Sequence, residues 1–183
     1  MALSNRVPTK LARLSRVMSA LSMLGMIGIP TLVIAIFLHP ETTQFLMFRL
    51  DHLGTDLTEK IPIQFRLGAL ACELVPLGCT VWAMWSLRQL FASYAQGQVF
   101  SQEPLRHLNN VANALFLGVL ADFLMQAPIS YLLSLANPPG HREISLGFGS
   151  NDAAQLFIAG TVLVIARVMA EAGRVADENA AFV

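Results

Sequence analysis

Four long apolar segments, separated by polar stretches, set the pattern of hydrophobic and polar positions along the chain. A helix needs about 20 apolar residues to cross the roughly 30 Å of hydrocarbon in a bilayer. The pattern therefore predicts an all-α membrane protein with four transmembrane helices, forming a single transmembrane domain over residues 1–183. The predicted helices, with their polar ends, cover about residues 17–38, 63–91, 105–136 and 153–178.

The composition agrees with a membrane location. Charged residues make up 13% of the chain, against about 25% in ordinary soluble domains. The first 16 residues are basic and an apolar run follows, which resembles a signal peptide, but no small-residue cleavage site follows Leu38. We therefore expect a retained first helix. The net charge of zero gives no basic footprint, so direct nucleic-acid binding is not expected.

The lysines and arginines are divided unevenly between the two predicted sides of the membrane. This division predicts the orientation of the protein in the membrane. Eight fall on the side of the two termini: Arg6, Lys10, Arg13, Arg16, Arg88, Arg106, Arg167 and Arg174. Four fall on the opposite side, where acidic residues dilute them: Arg49, Lys60, Arg66 and Arg142. Because the more basic side faces the cytoplasm, both termini are predicted to be cytoplasmic.

The two outer loops, residues 39–62 and 137–152, are predicted to form a small extracytoplasmic cap. Residues 45–48 of the first loop are apolar, so they either lie on the membrane surface or pack against the second loop. The second loop opens with Asn-Pro-Pro-Gly at residues 137–140, which is typical of a helix end. Residues 143–148 then alternate between polar and apolar, a short strand pattern that places Ile144, Leu146 and Phe148 on one side.

The inner loop has the pattern of a helical joint, with Tyr94, Gly97, Phe100 and Ser101 as its main residues. Gly97 suits a helix C-cap, where a positive φ costs glycine little. Ser101 suits the next N-cap, with the acidic Glu103 in the first turn. The stretch is either a tight joint between two helices or a docking site for a cytoplasmic partner.

This inner loop and the C-terminal end resemble the DUF2975 family of small bacterial four-helix membrane proteins, whose function is unknown. The matching positions are Leu87, Leu90, Phe91, Tyr94, Gly97, Phe100, Ser101 and Leu105, with Ile165-Ala166-Arg167, Asp177-Glu178-Asn179 and Phe182-Val183. The resemblance covers the chain from about residue 65 onwards. It implies a bacterial inner-membrane location. Because some members are encoded beside a small helix-turn-helix regulator, it also implies a partner of that kind.

Two carboxylic acids, Glu73 and Asp122, fall inside predicted membrane helices, and Gln126 lies one turn from Asp122. Counting 1.5 Å per residue along antiparallel helices places the two carboxyls at nearly the same depth. Two carboxyls there would not both ionise, so they would share a proton or hold a cation. The cluster is either a proton, cation or ligand site, or a set of hydrogen bonds that hold the helices together.

Other chemistry has less support in the sequence. Cys72 and Cys79 are roughly 10 Å apart along one helix, too far for a disulfide. No histidine pair has the spacing of a helical metal site, so we expect no metal and no cofactor. The chain has no nucleophile–base pair, and we expect no enzymatic activity.

The first functional hypothesis is a non-enzymatic membrane protein that engages a cytoplasmic partner, such as a small transcriptional regulator. It rests on the ordered inner joint, a C-terminal helix that continues past the membrane, and a basic amphipathic arm near the N-terminus. That arm could equally lie on anionic lipid. The alternative is a small transporter, channel or ligand or proton sensor that uses Glu73 and Asp122. Homo-oligomerisation is left open.

Overall fold

Four long helices form the fold in the computed structural model, which describes residues 9–39, 61–97 and 102–181. They are α1 (Thr9–Leu38), α2 (Ile63–Ala95), α3 (Gln102–Ser134) and α4 (Ser150–Ala181). No β-strand occurs within these ranges. Each helix contains a stretch long and apolar enough to cross a bilayer. The predicted all-α architecture with four membrane-spanning helices is therefore confirmed, and the chain is a multi-pass membrane protein.

The buried side of each helix repeats at about seven residues, the spacing that keeps one stripe of a helix facing its neighbours. On α4 the buried stripe consists of Asp152, Ala159, Ala166 and Gly173. On α1 it includes Ala12, Ser15 and Ser22. Small side chains let membrane helices approach closely, and the large apolar side chains lie mostly on the exposed faces. A lipid environment favours this distribution, with small side chains between the helices and large apolar side chains on the outer surface.

Contacts divide the chain into two units. The first, which we call the loop unit, comprises Gly28–Cys79 and Leu117–Leu156 and contains the connections from α1 to α2 and from α3 to α4. Its buried core includes Phe37, Ile61, Ala69, Ile129 and Leu133. The second, the joint unit, comprises Met1–Ile27, Thr80–Phe116 and Phe157–Val183 and contains the connection from α2 to α3.

Within the loop unit, α2 and α3 pack closely as antiparallel neighbours at two glycines. A Cβ atom added at Gly118 would lie 3.5 Å from the Cβ of Cys79. One added at Gly68 would lie 3.4 Å from a methyl group of Leu132. These two contacts fix which residues of the two helices lie opposite each other. Cys72 and Cys79 are free thiols, as their separation along the helix predicts.

Candidate functional site

A ladder of polar side chains on α3 binds the connection between α3 and α4. Gln126, Ser130 and Ser134 lie four residues apart, so they share one face of the helix, and all three are buried. The N–H groups of Gly147, Ser145 and Glu143 donate to these side chains over 3.1, 3.0 and 3.2 Å, respectively. We call residues 143–148 the strap.

Each serine hydroxyl also has one hydrogen to donate, which it shares between a strap carbonyl and a carbonyl of α3. The Ser130 hydroxyl lies 3.2 Å from the Ser145 carbonyl and 3.0 Å from that of Ala127. The Ser134 hydroxyl lies 3.0 Å from the Glu143 carbonyl and 2.9 Å from that of Tyr131.

The strap and the helix match because their repeats have nearly the same length. Four residues of α-helix rise about 6 Å, and two residues of extended chain span about 6.6 Å. Every second strap residue can therefore meet every fourth residue of α3. The strand that the alternating pattern predicts is not formed in the described part of the chain. Instead, the N–H groups of alternate strap residues donate to side chains of α3.

A tight turn precedes the strap, and a side-chain hydrogen bond fixes the chain after it. Before it, the His141 N–H donates to the Pro138 carbonyl over 3.1 Å, and Gly140 has a φ of 100°. This geometry is a type II turn, in which proline suits the second position and glycine the third. After it, the Asp152 carboxylate accepts from the Gly149 N–H over 2.7 Å at the start of α4. The Asn-Pro-Pro-Gly sequence thus ends α3 as predicted and turns the chain back along it.

Gln126 belongs to this ladder, because its side-chain oxygen accepts from the strap. Its predicted companions lie nearby along the helices. Counting from the Gly118–Cys79 contact places Glu73 opposite residue 124 of α3, and counting from the Gly68–Leu132 contact places it opposite residue 127. Glu73 is 4% exposed. Asp122 is half-buried. The two carboxyl-bearing residues therefore lie within about one helical turn of each other in depth.

Glu73 shares its stripe of α2 with a buried arginine that the sequence pattern did not single out. Arg66 precedes Glu73 by seven residues and is 2% exposed. Its guanidinium donates from Nη1 to the backbone carbonyl of His39, directly after the end of α1. A cation at a helix C-terminus is favoured by the helix dipole, so Arg66 caps α1 from a neighbouring helix. The sequence signal for its burial is the seven-residue spacing, which places Arg66 on the same face of α2 as Glu73.

This stripe places an acid and a base in the same apolar interior. An isolated carboxylate is costly to bury, so a buried carboxyl either stays charged beside a cation or takes up a proton and becomes neutral. Chemically, the arrangement can hold a proton or a positive group near Glu73. No group of three His, Cys, Asp or Glu residues in the described ranges is placed to hold a metal ion.

The predicted inner joint is described in part. The Gly97 N–H donates to the Tyr94 carbonyl over 3.1 Å, and Gly97 has a φ of 86° directly after α2. Tyr94 is half-buried. Phe100 and Ser101 lie outside the described residues. Helix α3 begins at Gln102 with an acidic residue, Glu103, in its first turn, as expected for this joint.

Comparison with known protein families relates this chain to a family of unknown function. The family model described as a protein of unknown function (DUF2975) matches residues 37–183. No curated protein and no solved structure matches the chain. The family match begins near the end of α1 and includes the Arg66–Glu73 stripe, the ladder, the strap and the inner joint. This chain therefore belongs to the DUF2975 family.

Proposed function

We propose that this protein is a non-enzymatic inner-membrane protein whose joint unit engages a cytoplasmic partner, such as a small helix-turn-helix regulator. The observation that supports this is the length of the helices. α2 and α3 have 33 residues each and α4 has 32. A helix of that length spans about 50 Å, whereas the hydrocarbon core is about 30 Å thick. Much of each helix must therefore lie outside the hydrocarbon.

The surplus length lies mainly at the ends that belong to the joint unit. α2 becomes polar from Arg88 onwards, α3 is polar before Val111, and α4 is polar from Arg167 onwards. The Arg88 guanidinium lies 5.5 Å from the centre of the Trp85 ring, a pairing suited to the membrane interface. Arg106 and Arg167 are exposed. In the predicted orientation these ends reach into the cytoplasm, where a soluble protein could bind them.

The test is affinity purification from native membranes after cross-linking, comparing the wild type with an Arg106→Ala/Arg167→Ala double variant. We expect a specific soluble protein to co-purify with the wild type and to be absent from the purification of the double variant. Arg142→Ala is the matched control, since Arg142 is an exposed arginine in the loop unit. Cysteine labelling at both ends must show that the variants keep the wild-type orientation. Recovery of the same partner by all three proteins would contradict the assignment to the joint unit.

A second candidate function uses the loop unit: a small transporter, channel or ligand or proton sensor built on Glu73 and Asp122. The burial of Glu73 in a membrane-crossing helix supports it, because ionisable groups at that depth are often functional. The test is proton or cation uptake by proteoliposomes containing Glu73→Gln or Asp122→Asn. Glu143→Gln is the control, because Glu143 is exposed. Equal behaviour of all variants would assign the two acids to packing.

A further inference from the structure

The strap presents a row of apolar side chains away from α3. Ile144, Leu146 and Phe148 are 68%, 56% and 59% exposed, and they alternate with the three residues whose backbone binds the ladder. Three large exposed side chains in six residues would be unfavourable in water. Because the ladder holds the backbone, these side chains also have a fixed direction. We propose that the strap is a membrane anchor whose apolar row contacts lipid at the bilayer interface.

The depth of the strap follows from α3 alone. Helix α3 is polar before Val111 and apolar over most of its length after that residue, within a candidate membrane span of Glu103–Ser134. Twenty residues of helix span about 30 Å, so a hydrocarbon core that begins near Val111 ends near Tyr131. Gln126 binds Gly147. The strap therefore crosses the edge of the hydrocarbon: Gly147 lies about 7 Å inside that edge, and Glu143, beside Ser134, lies about 5 Å outside it.

The polarity of the strap changes in the direction that this depth requires. Arg142 and Glu143, both charged, stand at the end that lies beside Ser134. No charged residue follows until Asp152. Phe148, the largest side chain of the row, comes at the deepest end. The ladder explains how an extended chain can lie at this depth, since non-helical backbone near lipid needs its polar groups bound by protein.

Lipid is the expected contact of the apolar row, because the loop unit exposes another large apolar side chain at the same depth. Leu124, on the membrane-crossing part of α3, is 54% exposed. It precedes Gln126 by two residues, so it lies at nearly the same depth as Gly147 and Phe148. A water-soluble partner could reach the apolar row only if these side chains pointed away from the bilayer. The proposal rests on the four membrane spans and is independent of any cytoplasmic partner.

The test uses single tryptophans in a Trp82→Phe/Trp85→Phe parent, reconstituted in phosphatidylcholine vesicles brominated near the top of the acyl chains. We expect Phe148→Trp to lose as much fluorescence to the brominated lipid as Leu124→Trp, the lipid-facing control. Ile144→Trp should lose less, because it lies nearer the headgroups. Each variant must melt at the temperature of the parent, which shows that the exposed substitution leaves the fold intact.

A water-facing control and a soluble quencher complete the design. His141→Trp, in the exposed turn before the strap, should be quenched by iodide and unaffected by brominated lipid. If Phe148→Trp behaves in the same way, the row faces water and the proposal is wrong. If neither iodide nor brominated lipid quenches Phe148→Trp, protein covers the row, as in contact with a second copy of the chain. That result also overturns the lipid anchor.

Discussion

Removing the two ladder serines should release the strap from α3 while the helices stay folded. Ser130 and Ser134 each make two hydrogen bonds to one strap residue: one accepted from its N–H, and one donated to its carbonyl by a hydroxyl hydrogen that is shared with a carbonyl of α3. Alanine at either position removes both bonds and leaves a backbone N–H and a backbone carbonyl without that partner. The change removes no apolar packing, because serine and alanine differ only by the hydroxyl.

The expected loss can be worked from these four bonds. A hydrogen bond contributes about 1 kcal/mol net, and bonds inside membrane proteins average about 0.6 kcal/mol. One full bond and one shared bond per serine, at about 1 kcal/mol for a full bond, therefore stabilise the closed strap by roughly 1.5 kcal/mol, which corresponds to about a tenfold change in an opening equilibrium. The Ser130→Ala/Ser134→Ala pair should open the strap roughly a hundredfold more often, if the two effects are additive.

Hydrogen exchange of backbone amides measures this opening directly. The N–H groups of Glu143 and Ser145 should exchange about ten times faster with one serine replaced and about a hundred times faster with both. Ser93→Ala is the matched control. Ser93 is also buried, but its hydroxyl donates to the carbonyl of Gln89 within its own helix, so the strap amides should be unaffected.

Two results would refute this reasoning. If the strap amides of the double variant exchange as slowly as those of the wild type, the ladder does not hold the strap. If exchange accelerates equally throughout α3, the serines stabilise the helix rather than the strap. Release confined to residues 143–147 is the result that the geometry requires.

Three further changes test other parts of the structure by thermal unfolding in detergent. Arg66→Met should destabilise the protein by about 3 kcal/mol, because it uncaps α1 and removes a buried cation from the stripe that holds Glu73; an unchanged melting temperature would exclude both roles. Gly140→Ala should cost about 1 kcal/mol because its φ of 100° strains any L side chain, whereas Gly28→Ala, in open space within α1, should be neutral or stabilising. Gly118→Leu should destabilise by about 2 kcal/mol because α2 lies against that position, and equal stability would show that the helices can separate there at little cost.

The sequence predicts the architecture because the bilayer restricts a chain of this kind to few structures. Long apolar segments must be helical to satisfy their backbone groups, and four such segments are visible without any structure. Helix ends that depend on local chemistry are also predictable. The Asn-Pro-Pro-Gly turn after α3 and the positive φ of Gly97 after α2 both follow from residue type.

The partners of polar residues inside the membrane are harder to predict, since the residue type shows that a partner is needed but not which group it is. The sequence groups Gln126 with Asp122 because the two lie one turn apart, and the structure shows that the Gln126 oxygen binds the strap. The charge distribution places Arg66 among the outer-side charges, and nothing in it predicts that Arg66 is buried and binds the end of α1. In both cases the partner is a backbone group from a distant part of the chain, which no local pattern reveals.

The ladder itself could have been predicted by comparing two periods. Polar residues every four positions on a helix rise about 6 Å per step, and alternate residues of an extended chain advance about 6.6 Å. When the two patterns follow each other across a tight turn, as after Ser134, the second can fold back and bind the first. In a membrane this arrangement solves a specific problem, because extended backbone near lipid has no water to bind. A polar period of four beside an alternating segment therefore predicts where non-helical chain can lie at the edge of a bilayer.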